Sequence, residues 1–112
     1  MCTETQLSRI TKAIVECYRV VYGDDIVEIV LYGSYARGDY AEDSDIDIAA
    51  VVHGSREELQ EKLKAVWDVS AELGVENDII VSPTVIPYEE FMKYKQTLPY
   101  YRNIAEEGQK IG

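Results

Sequence analysis

The stretch Ile26–Val52, IVEIVLYGSYARGDYAEDSDIDIAAVV, sets two apolar runs on either side of a polar loop, and its reading decides the fold. Ile26 to Tyr32 is short, apolar and β-branched, the composition of a buried strand. Gly33 ends it, and Ser34-Tyr35-Ala36-Arg37-Gly38 has room for one short helical turn. Asp45 to Val52 reads as a second strand, closed by Gly54. Side chains alternate along a strand, so Asp45 and Asp47 share one face with Cα atoms about 7 Å apart, while Ile46 and Ile48 point to the core. Two like charges at that spacing repel by about 2 kcal/mol at an effective dielectric near 20. A divalent cation relieves that repulsion, and hard oxygen ligands suit Mg²⁺ or Mn²⁺. The plainer alternative is a half-exposed strand with two solvated acids, and a D-x-D pattern alone does not separate the two.

The neighbouring residues shift the balance. Gly33-Ser34 falls where a buried strand gives way to a helical turn. Backbone N–H groups at such a turn bind phosphate oxygens, and glycine allows close approach. Ser34 adds a hydroxyl donor, and Arg37, about one turn later, offers a forked contact. A phosphate site beside a cation site is a device for phosphoryl transfer. Deprotonating an acceptor hydroxyl there calls for a third acid. Asp78, read as the start of a third strand, is the candidate, although Asn77-Asp78 is equally good turn chemistry.

Outward from this centre the chain alternates helices and strands. Thr3-x-x-Gln6 is a possible capping box, followed by Leu7, Ile10, Ile14, Cys17 and Val21 at helical spacing up to Gly23. Ser55-Arg56-Glu57-Glu58 opens a second long helix carrying Leu59, Leu63, Val66 and Leu73, expected to end at Gly74. Asp78 to Val81 reads as a strand, and Pro83 requires it to be bent or at an edge by then. Tyr88 to Leu98 reads as a short helix stopped before Pro99, and a last turn is expected near Tyr101 to Glu106. The order predicts an α/β (α+β) fold, a small mixed sheet with helices packed on it, as one domain over residues 1–112.

Composition narrows the function. With 46% hydrophobic and 29% charged residues the chain reads as globular. No apolar run is long enough for a membrane span, and the start lacks the regions of a signal peptide, so a cytoplasmic location is expected. Cys2 and Cys17 form no CxxC pair, and Cys17 is expected to be a buried thiol. A single histidine, His53, excludes an ordinary zinc cluster and gives little support to a Ser-His-Asp triad. The net charge of −10 argues against direct nucleic-acid binding and favours a basic protein partner.

Together these residues resemble the minimal nucleotidyltransferases of the DNA-polymerase-β-like superfamily. That signature is G-S, ten residues, then D-x-D, and here Gly33-Ser34, residues 35 to 44, and Asp45-Ile46-Asp47 fit it throughout. The resemblance implies that Gly33 and Ser34 hold a triphosphate and that Asp45 and Asp47 bind Mg²⁺. It further implies that Asp78, in Asp78-Ile79-Ile80-Val81-Ser82, completes the metal site and acts as base. Leu98 to Ile104 with Glu107-Gly108 resembles the tail of one subgroup. Members of this size include MntA-type antitoxins, which transfer AMP from ATP onto a tyrosine of a HEPN toxin.

Two other functions compete. One is nucleotidyl transfer to a small hydroxylated molecule, although the chain is short for the extra helical domain that usually completes such a pocket. The other is a binding module that neutralises a partner by contact alone, which would not require Gly33-Ser34 and three acids. Among nine tyrosines, Tyr88, Tyr94, Tyr100 and Tyr101 cluster late in the chain. They read either as a partner-facing patch or, more often for such residues, as a cap on the core.

Overall fold

The computed structural model describes residues 3–112. Helix α1, Glu4–Tyr22, starts from a complete capping box. Thr3 Oγ1 accepts from the Gln6 N–H at 3.1 Å, and Gln6 Oε1 accepts from the Thr3 N–H at 3.0 Å. Gly23 closes the helix, its N–H donating to the Arg19 carbonyl. A 3₁₀ turn, Gly23–Asp25, leads to strand β1, Ile26–Tyr32, and then to the single turn α2, Ser34–Arg37. Strand β2 is Ile46–Val52, helix α3 is Arg56–Asn77 and strand β3 is Val81–Pro87. Two short helices follow, α4 at Tyr88–Tyr94 and α5 at Pro99–Glu107, then strand β4 at Gln109–Lys110. Cys2 lies outside the described residues. No described helix is long and apolar enough to cross a membrane.

The sheet order is β3-β2-β1-β4, with β1 antiparallel to β2 and β4 and β2 parallel to β3. The mixed sheet expected from the sequence is therefore present. Its first face is closed. Ile10, Ile14 and Tyr18 of α1 and Leu59, Leu63 and Val66 of α3 pack there on Ile29, Leu31, Ile46, Ile48 and Val85. Full burial of such a side chain contributes about 1.5–3 kcal/mol. Two tyrosine hydroxyls tie α1 down, Tyr18 to the sheet by donating to the Thr84 carbonyl and Tyr22 to α3 by donating to the Leu59 carbonyl, each at 2.7 Å. Cys17 is only partly buried at this core, and burial raises its thiol pKa.

The second face is covered at one end only. Phe91, Tyr101 and Ile104 of α4 and α5 pack there on Val30, Ala49, Val51 and Ile86. Tyr101 donates to Glu90 at 2.8 Å and Arg56 pairs with the same carboxylate, which ties the start of α3 to both short helices. Tyr88, Tyr94 and Tyr101 thus belong to a core cap, while Tyr100 remains half exposed.

Several boundaries differ from the sequence expectation, including the start of β2 at Ile46 rather than Asp45 and of α5 at Pro99 rather than near Tyr101. Helix α3 continues through Gly74 to Asn77, because the left-handed terminating residue is Asp78 (φ 52, ψ 49). Its N–H and that of Ile79 both reach the Gly74 carbonyl. Gly74 has a different duty, since a Cβ there would lie 2.6 Å from the Ile79 carbonyl oxygen. Strand β3 consequently starts at Val81 rather than Asp78 and runs through Pro83, which its edge position tolerates. Helix α4 stops at Tyr94, and Pro99 opens α5 instead of merely ending what precedes it.

Candidate functional site

Gly33 of the G-S pair and Asp47 of the D-x-D pattern meet on the second face, at the end away from Val51 and Ile86. Tyr32 and Asp47 are direct partners in the β1–β2 ladder. Ile46 and Ile48 belong to the first face, so Asp47 projects from the second. Gly33 follows Tyr32 with φ 76 and begins α2. A Cβ on Gly33 would fall 2.5 Å from Asp47 Oδ2. Only glycine, then, lets the turn of α2 and the Asp47 carboxylate stand side by side. Asp45 immediately precedes β2, where the loop is drawn in by the Ser44 hydroxyl, which accepts from the Ala41 N–H at 2.8 Å. The Ile46 N–H donates to the Ile80 carbonyl at 2.9 Å, fixing the start of β2 beside the approach to β3.

The electrostatics follow from that placement. Partial burial raises the Asp47 pKa, the Asp45 charge raises it further, and Arg37 opposes both. Asp45 thus acts on Asp47 from the residue before β2 and not from within the strand. Arg37 itself is exposed and engaged, its Nε donating to Asp39 at 3.1 Å and its Nη1 to Glu107 at 3.2 Å. It stands near the site without pointing into an empty space. The α2 turn is anchored from beneath by buried Tyr35, which stacks on Tyr40 with ring centroids 4.4 Å apart.

Asp78 does not sit where the sequence suggested. It is an exposed helix cap, bordering a shallow pocket with Glu42, Asp43, Ser44, Ile79 and Ile80. Among the described residues no three His, Cys, Asp or Glu side chains gather to hold a metal ion. Of the three acids expected at the site, Asp47 lies on β2 and Asp45 directly before it, while Asp78 lies on the cap of α3. Two carboxylates completed by phosphate oxygens and water are an ordinary Mg²⁺ arrangement.

Sequence reasoning passed over two neighbours of Asp47. Tyr32 shares a hydrogen bond of 2.9 Å with Tyr100, and burial, that bond and the charges of Tyr100 and Asp47 all push its pKa up. Ser82 is the direct partner of Asp47 in the parallel ladder. The signal for Ser82 was present in the alternation Val81-Ser82-Pro83-Thr84-Val85, but a strand ended at Val81 cannot show it.

A glycine-led turn set against a strand carboxylate on a mixed sheet is an arrangement suited to phosphoryl transfer. The chain belongs to the nucleotidyltransferase domain family, which matches residues 8–111, and nucleotidyl transfer is its activity class. A Methanocaldococcus jannaschii protein named as a candidate protein adenylyltransferase, MJ0604, is 34% identical over 89% of this chain and 92% of its own length. A solved minimal nucleotidyltransferase shares the fold with a TM-score of 0.60 at 20% identity, covering 99% of this chain and 97% of that one. A toxin–antitoxin crystal structure with AMP-PNP shares it with a TM-score of 0.53 at 18% identity, covering 89% of this chain and 70% of that one.

Proposed function

We propose that this protein transfers AMP from ATP to a tyrosine hydroxyl of a HEPN-type toxin and so acts as its antitoxin. The observation that carries the reading is the apposition of Gly33 and the Asp47 carboxylate, which suits a phosphate held by the turn beside a cation held by Asp47 and Asp45. The name and matching length of the M. jannaschii relative favour a protein as the acceptor. A net charge of −10 suits a basic partner.

Asp45 and Asp47 would hold Mg²⁺ or Mn²⁺, which when bound offsets the triphosphate charge and the charge that develops during transfer. Gly33 keeps the turn open for close phosphate approach, and Ser34 donates its hydroxyl to a phosphate oxygen. Arg37 exchanges one of its exposed carboxylate partners for phosphate, since such pairs hold weakly in water. The acceptor oxygen bonds to the α-phosphorus as the bond to the β-phosphate oxygen breaks. Pyrophosphate leaves, and the phenolic proton passes to water.

Intact-protein mass spectrometry tests this, using the adjacent-gene product incubated with this protein, Mg²⁺ and each NTP in turn. Adenylyl additions with ATP, lost with the D45A/D47A double variant, are the expected result. A stable complex without additions from any NTP would overturn it in favour of neutralisation by contact.

A further inference from the structure

Strand β3 sets one side chain directly beside Asp47. In the parallel ladder Asp47 pairs with Ser82 and Ala49 with Thr84. Paired residues of neighbouring strands share a face and lie about 5 Å apart. Val81 and Val85 pack into the first-face core, whereas Ile86, in phase with Ser82, packs on the second. Ser82 therefore projects from the face that carries Asp47, at its uncovered end, and is partly buried there. Asp78 is exposed four residues earlier, on the cap of α3, with Ile79 and Ile80 between it and the strand.

We infer that Ser82, and not Asp78, is the third polar group of the site, so that the cation is held by two carboxylates and a neutral neighbour. The inference rests on the assignment of Asp45 and Asp47 to the cation. A hydroxyl contributes an oxygen without charge, so the protein alone attracts a divalent cation with two negative charges rather than three. The remaining oxygen ligands come from the nucleotide's phosphates and from water. Binding of cation and nucleotide is then strongly coupled, and by linkage each tightens the other to the same extent. Ser82 acts as a neutral ligand that sets how far the site depends on the nucleotide.

The test is a Mn²⁺ titration of the full chain, read from the paramagnetic resonance signal of free Mn²⁺, with and without the non-hydrolysable AMP-PNP. Wild type should bind Mn²⁺ at least tenfold more tightly when AMP-PNP is present. S82D should bind Mn²⁺ without nucleotide at least tenfold more tightly than wild type, and D78N should stay within twofold of wild type in both conditions. A second variant, S82C, is nearly isosteric and guards against misfolding of the first. It should gain at least tenfold in Cd²⁺ affinity with AMP-PNP over wild type, because a thiol is the softer ligand. The inference is overturned if D78N weakens Mn²⁺ binding as much as D45N does. It is equally overturned if S82C shows no Cd²⁺ gain, or if a folded S82D binds Mn²⁺ like wild type. If D45N and D47N leave Mn²⁺ binding with AMP-PNP unchanged, the two-carboxylate assignment itself fails, an outcome distinct from these.

Discussion

The two faces of the sheet are built to opposite ends. The first is sealed by α1 and α3 over a continuous apolar core, with the Tyr18 and Tyr22 hydroxyls bonded to carbonyls. The second is covered by two short helices at one end and leaves Asp47 and Ser82 uncovered at the other. The same strands serve both, since Ile46 and Ile48 enclose Asp47 in sequence yet point away from it. Stability is thus concentrated on one side of β2 and chemistry on the other. A strand with a period of two can carry both without compromise. On the open side a cost appears at Asp47, where burial and Asp45 act together to disfavour the charge.

That division is open to direct attack. The largest effect should come from D47N, which removes a proposed cation ligand. Transfer should fall on the order of a thousandfold or more, as when a principal electrostatic group is lost from an active site. Thermal unfolding without metal should stay level or shift upward, because the substitution removes a disfavoured charge. A D47N protein that melts far below wild type would break the comparison by making the open face a stability element. G33A comes next. Its methyl group would press on Asp47 Oδ2 and its backbone would hold a strained positive φ. Displacing a reacting group by about 1 Å costs roughly a hundredfold in rate, while the strain costs roughly 1–3 kcal/mol of stability. Steady-state transfer assays beside urea melts separate the two losses. A G33A enzyme of normal activity would show that the turn yields and that the apposition is not needed.

Much of this was legible in the sequence because it depends on local rules. The Thr3–Gln6 box, the β-branched run of β1 and the phase of Ile46 and Ile48 against Asp47 each declare themselves within a few residues. The approach of Gly33 to Asp47 was legible for the same reason, being fixed by the end of one strand and the start of its partner. The third position was not. Asp78 and Ser82 are distinguished only by where α3 terminates, and that depends on Asp78 adopting a left-handed conformation while Gly74 lies under the Ile79 carbonyl. An interior glycine kept for close packing carries the same letter as one that ends a helix. The partner of Asp47 is likewise a matter of register between distant strands, which no local pattern specifies. Tyr32 was read only as the end of a strand, and its contact with Tyr100 spans most of the chain.

The smallest effect lies on the closed face and has its own pH signature. Tyr22 donates to the Leu59 carbonyl from a buried position, and burial, then the nearby Cys17, raise its pKa to about 12. An unfolded tyrosine titrates near pH 10. Below about pH 10 the hydroxyl is protonated in both states, and its stabilising contribution is fully present. Between about pH 10 and pH 12 the unfolded chain releases this proton before the folded one does, so stability falls as pH rises. Y22F keeps the ring and loses both the hydrogen bond and the titration. At pH 7 it should be less stable than wild type by about 1 kcal/mol, the usual net worth of such a bond. Urea melts of the two proteins should then converge as pH rises above about 10. Tyr18 adds to the same convergence, because burial and then the charge of Tyr22 raise its pKa and Y22F lifts the second of these. A gap that stays constant from neutral to alkaline pH would mean that Tyr22 releases its proton as easily folded as unfolded. The seal on the first face would then be looser than its geometry implies, and the contrast between the two faces would shrink accordingly.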